Sequence, residues 1–158
     1  MAVDRIDRQI LQELQRDGRL SNAELAERVG LTPSPCLRRV NRLEQDGVIR
    51  GYRARLDPAA VGRGFQAFVS VVMAKEDRPT VAEFERRIAE LPEVVEAMRL
   101  FGDPDYLLRV AVADIDAYER CYTESLAQLP GVARLTSHLT MKQVKVNEGL
   151  PIESATAP

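Results

Sequence analysis

Histidine occurs once in this chain, at position 138, and cysteine twice, at 36 and 121. One His and two distant Cys cannot supply the closely spaced ligands of a zinc site, and they do not form the framework of a disulfide-stapled domain. Both cysteines are expected to act as small buried apolar residues. Long apolar runs are also missing. Nothing approaches the ~18 consecutive apolar residues that a membrane span needs. The first ten residues, MAVDRIDRQI, carry four charges and do not resemble a secretory signal. The expectation is a cytoplasmic protein with no membrane partner, no metal and no cofactor. Enzymatic signatures are absent as well: there is no nucleophile motif and no phosphate-binding glycine loop. Asp103, Asp105 and His138 would be the acid–base groups of an enzyme, and two carboxylates in one turn do not make a catalytic constellation.

What remains is 158 residues, 45% hydrophobic and 29% charged, enough for one domain or two small ones with a real core. The net charge of −2 conceals an uneven distribution. Residues 1–56 carry 11 Lys/Arg against 8 Asp/Glu, a net +3, and the remainder nets −5. Six arginines fall between positions 38 and 55 against Glu44 and Asp46. A compact basic segment on an acidic body is the asymmetry of a nucleic-acid reader with a separate second domain.

The basic part reads as three helices. Ile6, Ile10, Leu11 and Leu14 recur at helical spacing over about 4–16. Ser21 to Glu24, SNAE, fits a capping box for a second helix that ends at Gly30. Thr32 is placed to cap a third helix, about 33–46. Pro33 and Pro35 sit in its first turn, where the N–H groups have no intrahelical partner and proline loses nothing. At 100° per residue, Cys36, Val40 and Leu43 form a buried seam. Ser34, Arg38, Asn41 and Gln45 lie opposite, flanked by Pro35, Leu37 and Arg42, with Arg39 nearer the seam. Arg suits guanine, and Asn or Gln suits adenine, so this face has the donors and acceptors that read base edges. Two short helices joined by a tight turn make a helix-turn-helix, which places double-stranded DNA as a partner. Arg50, Arg53 and Arg55, on a segment that alternates after Gly51, are available for phosphates.

After PAAVGRG, 58–64, the period changes. Strands are expected at 65–74, 94–100, 106–112 and within 132–146. Thr80 and Asp114 are expected to cap helices to about 90 and 129. The order is βαββαβ, an α+β sandwich with two helices on one face of an antiparallel sheet. RNA-recognition sheets share this order, but they stack bases on aromatics, and strand three offers only Tyr106. FGDPD, 101–105, taken alone is a β-turn.

Three segments together, DRIDRQILQELQRDGRLSNAELAERVGLTPSPCLRRVNRLEQDGVIRGY, FGDPDYLLRV and LPGV, resemble the Lrp/AsnC family of transcription regulators, from about Asp4 to Leu150. The resemblance implies an α+β chain: a (winged) helix-turn-helix at 1–50, a linker strand at 51–63, an ACT-like (RAM, ferredoxin-like) domain at 64–150 and a loose tail at 151–158. It implies homodimers formed through the sheets and the linker strand and assembled further into tetramers, octamers or larger forms. It also implies an amino-acid effector, leucine or another, bound between dimers. The effector positions carry over onto Gly102, Asp103, Asp105 and Tyr106, and onto Thr136, His138 and Thr140 of the last strand, with Arg99 and Ile115 nearby. The alternative within the same architecture is an effector-independent, nucleoid-type protein that wraps DNA through backbone contacts.

Overall fold

The structure is a computed structural model describing residues 3–147 and 149–152, and the chain divides into two compact units. The first unit comprises residues up to Arg55 together with the segment from Lys145. Helix α1 spans Arg5–Arg16, α2 Asn22–Arg28 and α3 Pro33–Gln45. Asp4 caps α1: its carboxylate accepts the Asp7 N–H at 2.8 Å, and the Asp7 carboxylate accepts the Asp4 N–H at 3.2 Å. Ser21 and Glu24 make the expected reciprocal cap on α2. Gly30 then turns the chain at φ 68°, a conformation that other residues rarely adopt, and Leu31 donates back to Ala26 O at 2.8 Å.

Thr32 stands at the N-cap of α3 but makes no side-chain cap hydrogen bond. The third position of that helix, whose N–H a Thr cap would bind, is Pro35 and has no N–H to offer. Ile10, Leu25, Ala26, Val29, Cys36, Val40 and Leu43 form the core of the three helices.

Two expectations on the boundaries change. Residues 51–57 form no strand within the chain, and 58–62 are turns. A strand needs a neighbour to share its ladder, and among the described residues none pairs with this stretch. The segment after residue 144 belongs with the helices rather than with the sheet. The Gln15 amide donates to Leu150 O at 3.0 Å and accepts from Leu150 N at 2.6 Å, and Gln12 donates to Ile152 O at 2.7 Å. Pro151 and Ile152, expected as part of a loose tail, lie in this docked stretch; positions 153–158 of that tail lie outside the described residues.

The second unit, Leu56–Val144, holds β1 (Phe65–Met73), α4 (Arg78–Glu90), β2 (Val94–Arg99), β3 (Tyr106–Val112), α5 (Ile115–Arg120) and β4 (Val132–Leu139). The sheet is antiparallel in the order β2-β3-β1-β4. Alternate residues of β1, Ala67, Val69, Val71 and Met73, are buried, as period two requires. Tyr106, Leu108, Val110 and Val112 of β3 join them, packed beneath Phe84 and Ile88 of α4. Phe68, Ser70 and Val72 point to the other face, which neither helix of this unit covers among the described residues.

Asp77, not Thr80, caps α4. Its carboxylate accepts the Thr80 N–H at 3.3 Å and the Thr80 hydroxyl at 2.8 Å, so EDRP is already the helix start. The helix capped by Asp114 does not continue regularly to 129. It widens to a π-helical turn at Cys121–Ser125 and tightens to a 3₁₀ turn at Leu126–Gln128. Buried Cys121 and Leu126 are five residues apart, and the wide turn keeps both on the inner face.

Candidate functional site

In the helical unit, the front of α3 is an open groove lined by Ser34, Leu37, Arg38, Asn41, Arg42 and Gln45, with Arg39 at its edge. Cys36, Val40 and Leu43 are turned inward, so α3 divides along the lines that its sequence implies. Pro35 is half-buried at the first turn rather than on the front. Leu37, a flanking residue by sequence, is 48% exposed within the groove and offers an apolar contact of the kind made to thymine methyls. Among the described residues Arg38 makes no ion pair. The same holds for Arg50 and Arg53, which are exposed on the stretch after α3.

Arg42 and Arg39 differ from Arg38. Arg42 Nη2 donates to Asp7 Oδ2 at 2.5 Å, and Arg39 Nη1 donates to Asp7 Oδ1 at 2.8 Å and to Asp4 Oδ2 at 2.6 Å. The Asp7 N–H, and then the Arg39 guanidinium, hold the Asp4 carboxyl below its ordinary range. In the sequence both acids stand at the start of the first helix, and nothing local names α3 as their partner. The available signal was Asp7's position on the apolar stripe of α1, three residues before Ile10, facing the side of α3 where Arg39 lies.

In the sheet unit, the turn at 101–105 joins β2 to β3. Gly102 has φ 127°, open to glycine and strained for other residues, and Asp103 is exposed. The N–H groups of Gly102 and Asp103 have no backbone partner among the described residues. Asp105 is committed: its N–H donates to Val71 O at 3.0 Å, its C=O accepts from Leu100 N at 2.8 Å, and its Oδ2 accepts from Met73 N at 2.7 Å. It stitches the turn to β1 where the β1–β4 register shifts. One carboxylate oxygen is thus structural, at a residue that the family resemblance offered as an effector position.

Tyr106 is buried on the helix side, and its hydroxyl donates to Glu85 at 2.8 Å. Burial first, then that carboxylate, push its phenol up to about 12. The Arg99 guanidinium lies 5.9 Å from the Tyr106 ring centroid, and a cleft of ≈ 340 Å³ opens between α4 and β2 beside Glu85, Ala89, Val95 and both of these residues.

The remaining expected ligand positions lie elsewhere. Thr136 pairs with Ser70 across β1 and β4, and His138 Nε2 lies 3.0 Å from the Ser70 hydroxyl, on the sheet face away from the helices. Thr140 lies one residue past β4. Ile115 begins α5, 54% exposed, beyond the far end of β3 from Tyr106. A seven-residue strand separates the two by about 20 Å. One chain therefore brings Arg99, Gly102, Asp103, Asp105 and Tyr106 together, and does not bring Ile115 to them.

Residues 3–50 match the family described as winged helix-turn-helix DNA-binding, and residues 66–150 the family described as Lrp/AsnC ligand binding domain. The chain is 42% identical over 152 residues to the leucine-responsive regulatory protein of Escherichia coli K12, covering 96% of this chain and 93% of that one. It superposes at a TM-score of 0.90 and 39% identity on a transcriptional regulator from Neisseria meningitidis in complex with L-Met, covering 95% of this chain and 97% of that one. An AsnC family transcriptional regulator from Agrobacterium tumefaciens matches at a TM-score of 0.89 and 42% identity, covering 97% and 99%.

Proposed function

The chain belongs to the Lrp/AsnC family of DNA-binding transcriptional regulators, and on that premise we propose how its own residues divide the work. The observation that carries the reading is the α3 front, where Ser34, Leu37, Arg38, Asn41 and Gln45 share one exposed groove over an apolar back. A dimer sets two copies of α3 in successive major grooves, about 34–36 Å apart. Arg38, Asn41 and Gln45 meet base edges, and Arg50 and Arg53 meet phosphates.

The sheet unit takes a free amino acid. At the 101–105 turn, the N–H groups of Gly102 and Asp103, without a partner among the described residues, suit an α-carboxylate, and the second carboxylate oxygen of Asp105 suits an α-ammonium. Thr136, His138, Thr140 and Ile115 complete the pocket from other copies, which accounts for their separation in one chain. The uncovered sheet face, with Phe68, Val72 and Leu107 half-buried and Met98 40% exposed, is the dimer surface. The effector is an apolar amino acid, methionine or leucine, in keeping with the methionine-bound relative and the leucine-responsive one. Its binding between dimers changes how many half-sites are engaged at once. The protein works in the cytoplasm, where its DNA lies.

A thermal-shift screen against the twenty amino acids tests the sensor half. A ligand of the native state raises stability by about 2.7 kcal/mol at a hundredfold excess over Kd. Methionine or leucine among the hits, with the shift lost in Gly102→Val, is the expected result. A flat screen would overturn the amino-acid assignment and favour effector-independent DNA wrapping.

A further inference from the structure

Asp7 is the one charged residue that is fully buried among the described residues. A carboxylate in a helix–helix contact is costly, and apolar residues would join α1 to α3 at least as well. Both of its guanidinium partners come from α3, and both line the groove proposed to read DNA. Asp4 adds a second carboxylate to Arg39, at 2.6 Å. Of the three arginines on this surface, two are tied back to the start of α1, and Arg38 makes no ion pair among the described residues. Two acids against two arginines also cancel the local charge.

We propose that Asp7, with Asp4, is a specificity-positioning clamp on the reading helix. It holds the side chains of Arg42 and Arg39 off the phosphates, so that α3 is registered by Arg38, Asn41 and Gln45 rather than by indiscriminate charge. The inference rests on the reading of the α3 front given above. Phosphate attraction is independent of sequence, and each cation added to a phosphate steepens the salt dependence of binding. A free arginine beside the base-reading side chains would strengthen every site equally and dilute the preference for one. The remaining N–H groups of the clamped guanidinium forks are left in fixed directions, a preorganisation that lysine could not supply.

The full-length protein is tested on two duplexes: one enriched by the wild type from a random pool, and a shuffled duplex of the same length. Asp7→Asn keeps a side-chain oxygen and removes the charge. Asp4→Asn keeps an equally good helix cap and weakens one of Arg39's two carboxylate contacts, leaving Arg39 on Asp7. The expected result for Asp7→Asn is tighter binding to the shuffled duplex and a log K against log salt slope steeper by about 1. Preference for the enriched duplex falls roughly tenfold, the low end of what one bidentate base contact contributes. Asp4→Asn shifts the same quantities by less. A damaged fold would weaken both duplexes and would not steepen the slope.

The inference is overturned if Arg38→Ala loses the preference while both Asn variants, folded by circular dichroism, keep wild-type slope and preference. Should Arg38→Ala itself change nothing, the reading of the front face fails first, and the clamp with it. Should Asp7→Asn not fold, Asp4→Asn decides alone.

Discussion

The two units join their elements by different means. In the helical unit, seven buried apolar residues hold three helices, and the contact between α1 and α3 is finished by a buried carboxylate with two arginines. In the sheet unit the core has twice as many buried residues, 14, and its ion pairs lie outside: Arg86 meets Glu83 at 2.9 Å and Glu90 at 2.6 Å on the exposed side of α4. A small core leaves orientation to directional polar bonds, whereas a large one fixes it by shape. The unit that reads DNA thus holds charge inside it, and the unit that binds ligand keeps charge at its rim.

The largest expected effect breaks the apolar side of this comparison. Phe84 is wholly buried, with its ring 4.6 Å from that of Tyr106. Phe84→Ala removes both and leaves a cavity, so the sheet unit should lose about 3–5 kcal/mol. Tyr106, Tyr118 and Tyr122 lie in this unit and Tyr52 in the other, so near-ultraviolet circular dichroism follows mainly the sheet. Its unfolding midpoint should fall while the helical unit's amide signal persists. A single transition lowered throughout would mean that the units unfold as one and that the contrast has no thermodynamic content.

A smaller effect separates structure from sensing at the turn. Asp105→Ala strips Met73 N of its partner and should cost about 1–3 kcal/mol. Asp105→Asn keeps an oxygen for Met73 and removes the charge that would meet an α-ammonium. The Asn variant should retain most of the stability and lose the amino-acid response, read by denaturation and by ligand titration. An Asn variant that responds normally would leave Asp105 a structural residue alone.

The elements of the fold were legible because their signals are local. The stripe of α1, the Ser21–Glu24 box, Pro33 at the first position of α3 and the alternation on β1 each depend on a few neighbouring residues. The α3 front was legible for the same reason, since a helical wheel needs only the helix. What escaped depends on pairs distant in sequence. Asp7 and Arg42 are 35 positions apart, and Gln15 and Leu150 are 135 apart. Asp105 entered as an effector position by resemblance, and nothing local revealed that its carboxylate faces Met73. The wide turn at Cys121–Ser125 was hidden because Tyr118, Tyr122 and Leu126 also fit a regular helix. The ligand positions were assigned by likeness, and one chain gathers only those around the 101–105 turn.

The smallest expected effect sharpens the electrostatic side. Arg86 first, then Arg87, hold the partly exposed Glu83 carboxyl down to about 2 from its ordinary 4.5. A carboxylate whose value is lowered by folding contributes fully above about 4.5, where both states are ionised. As pH falls, the unfolded chain takes up the proton first, and the contribution fades until the folded group is protonated near 2. Because these partners sit in water, salt screens them. Arg86→Ala should therefore shift the sheet unit's Tm less than either variant above. The shift should shrink between pH 4.5 and 2 and vanish in molar salt. The Asp7 pairs are partly withdrawn from solvent, so Asp7→Asn should keep most of its effect in the same salt. If salt erases both effects alike, the charge inside the helical unit behaves as surface charge, and the distinction between the two units reduces to the size of their cores.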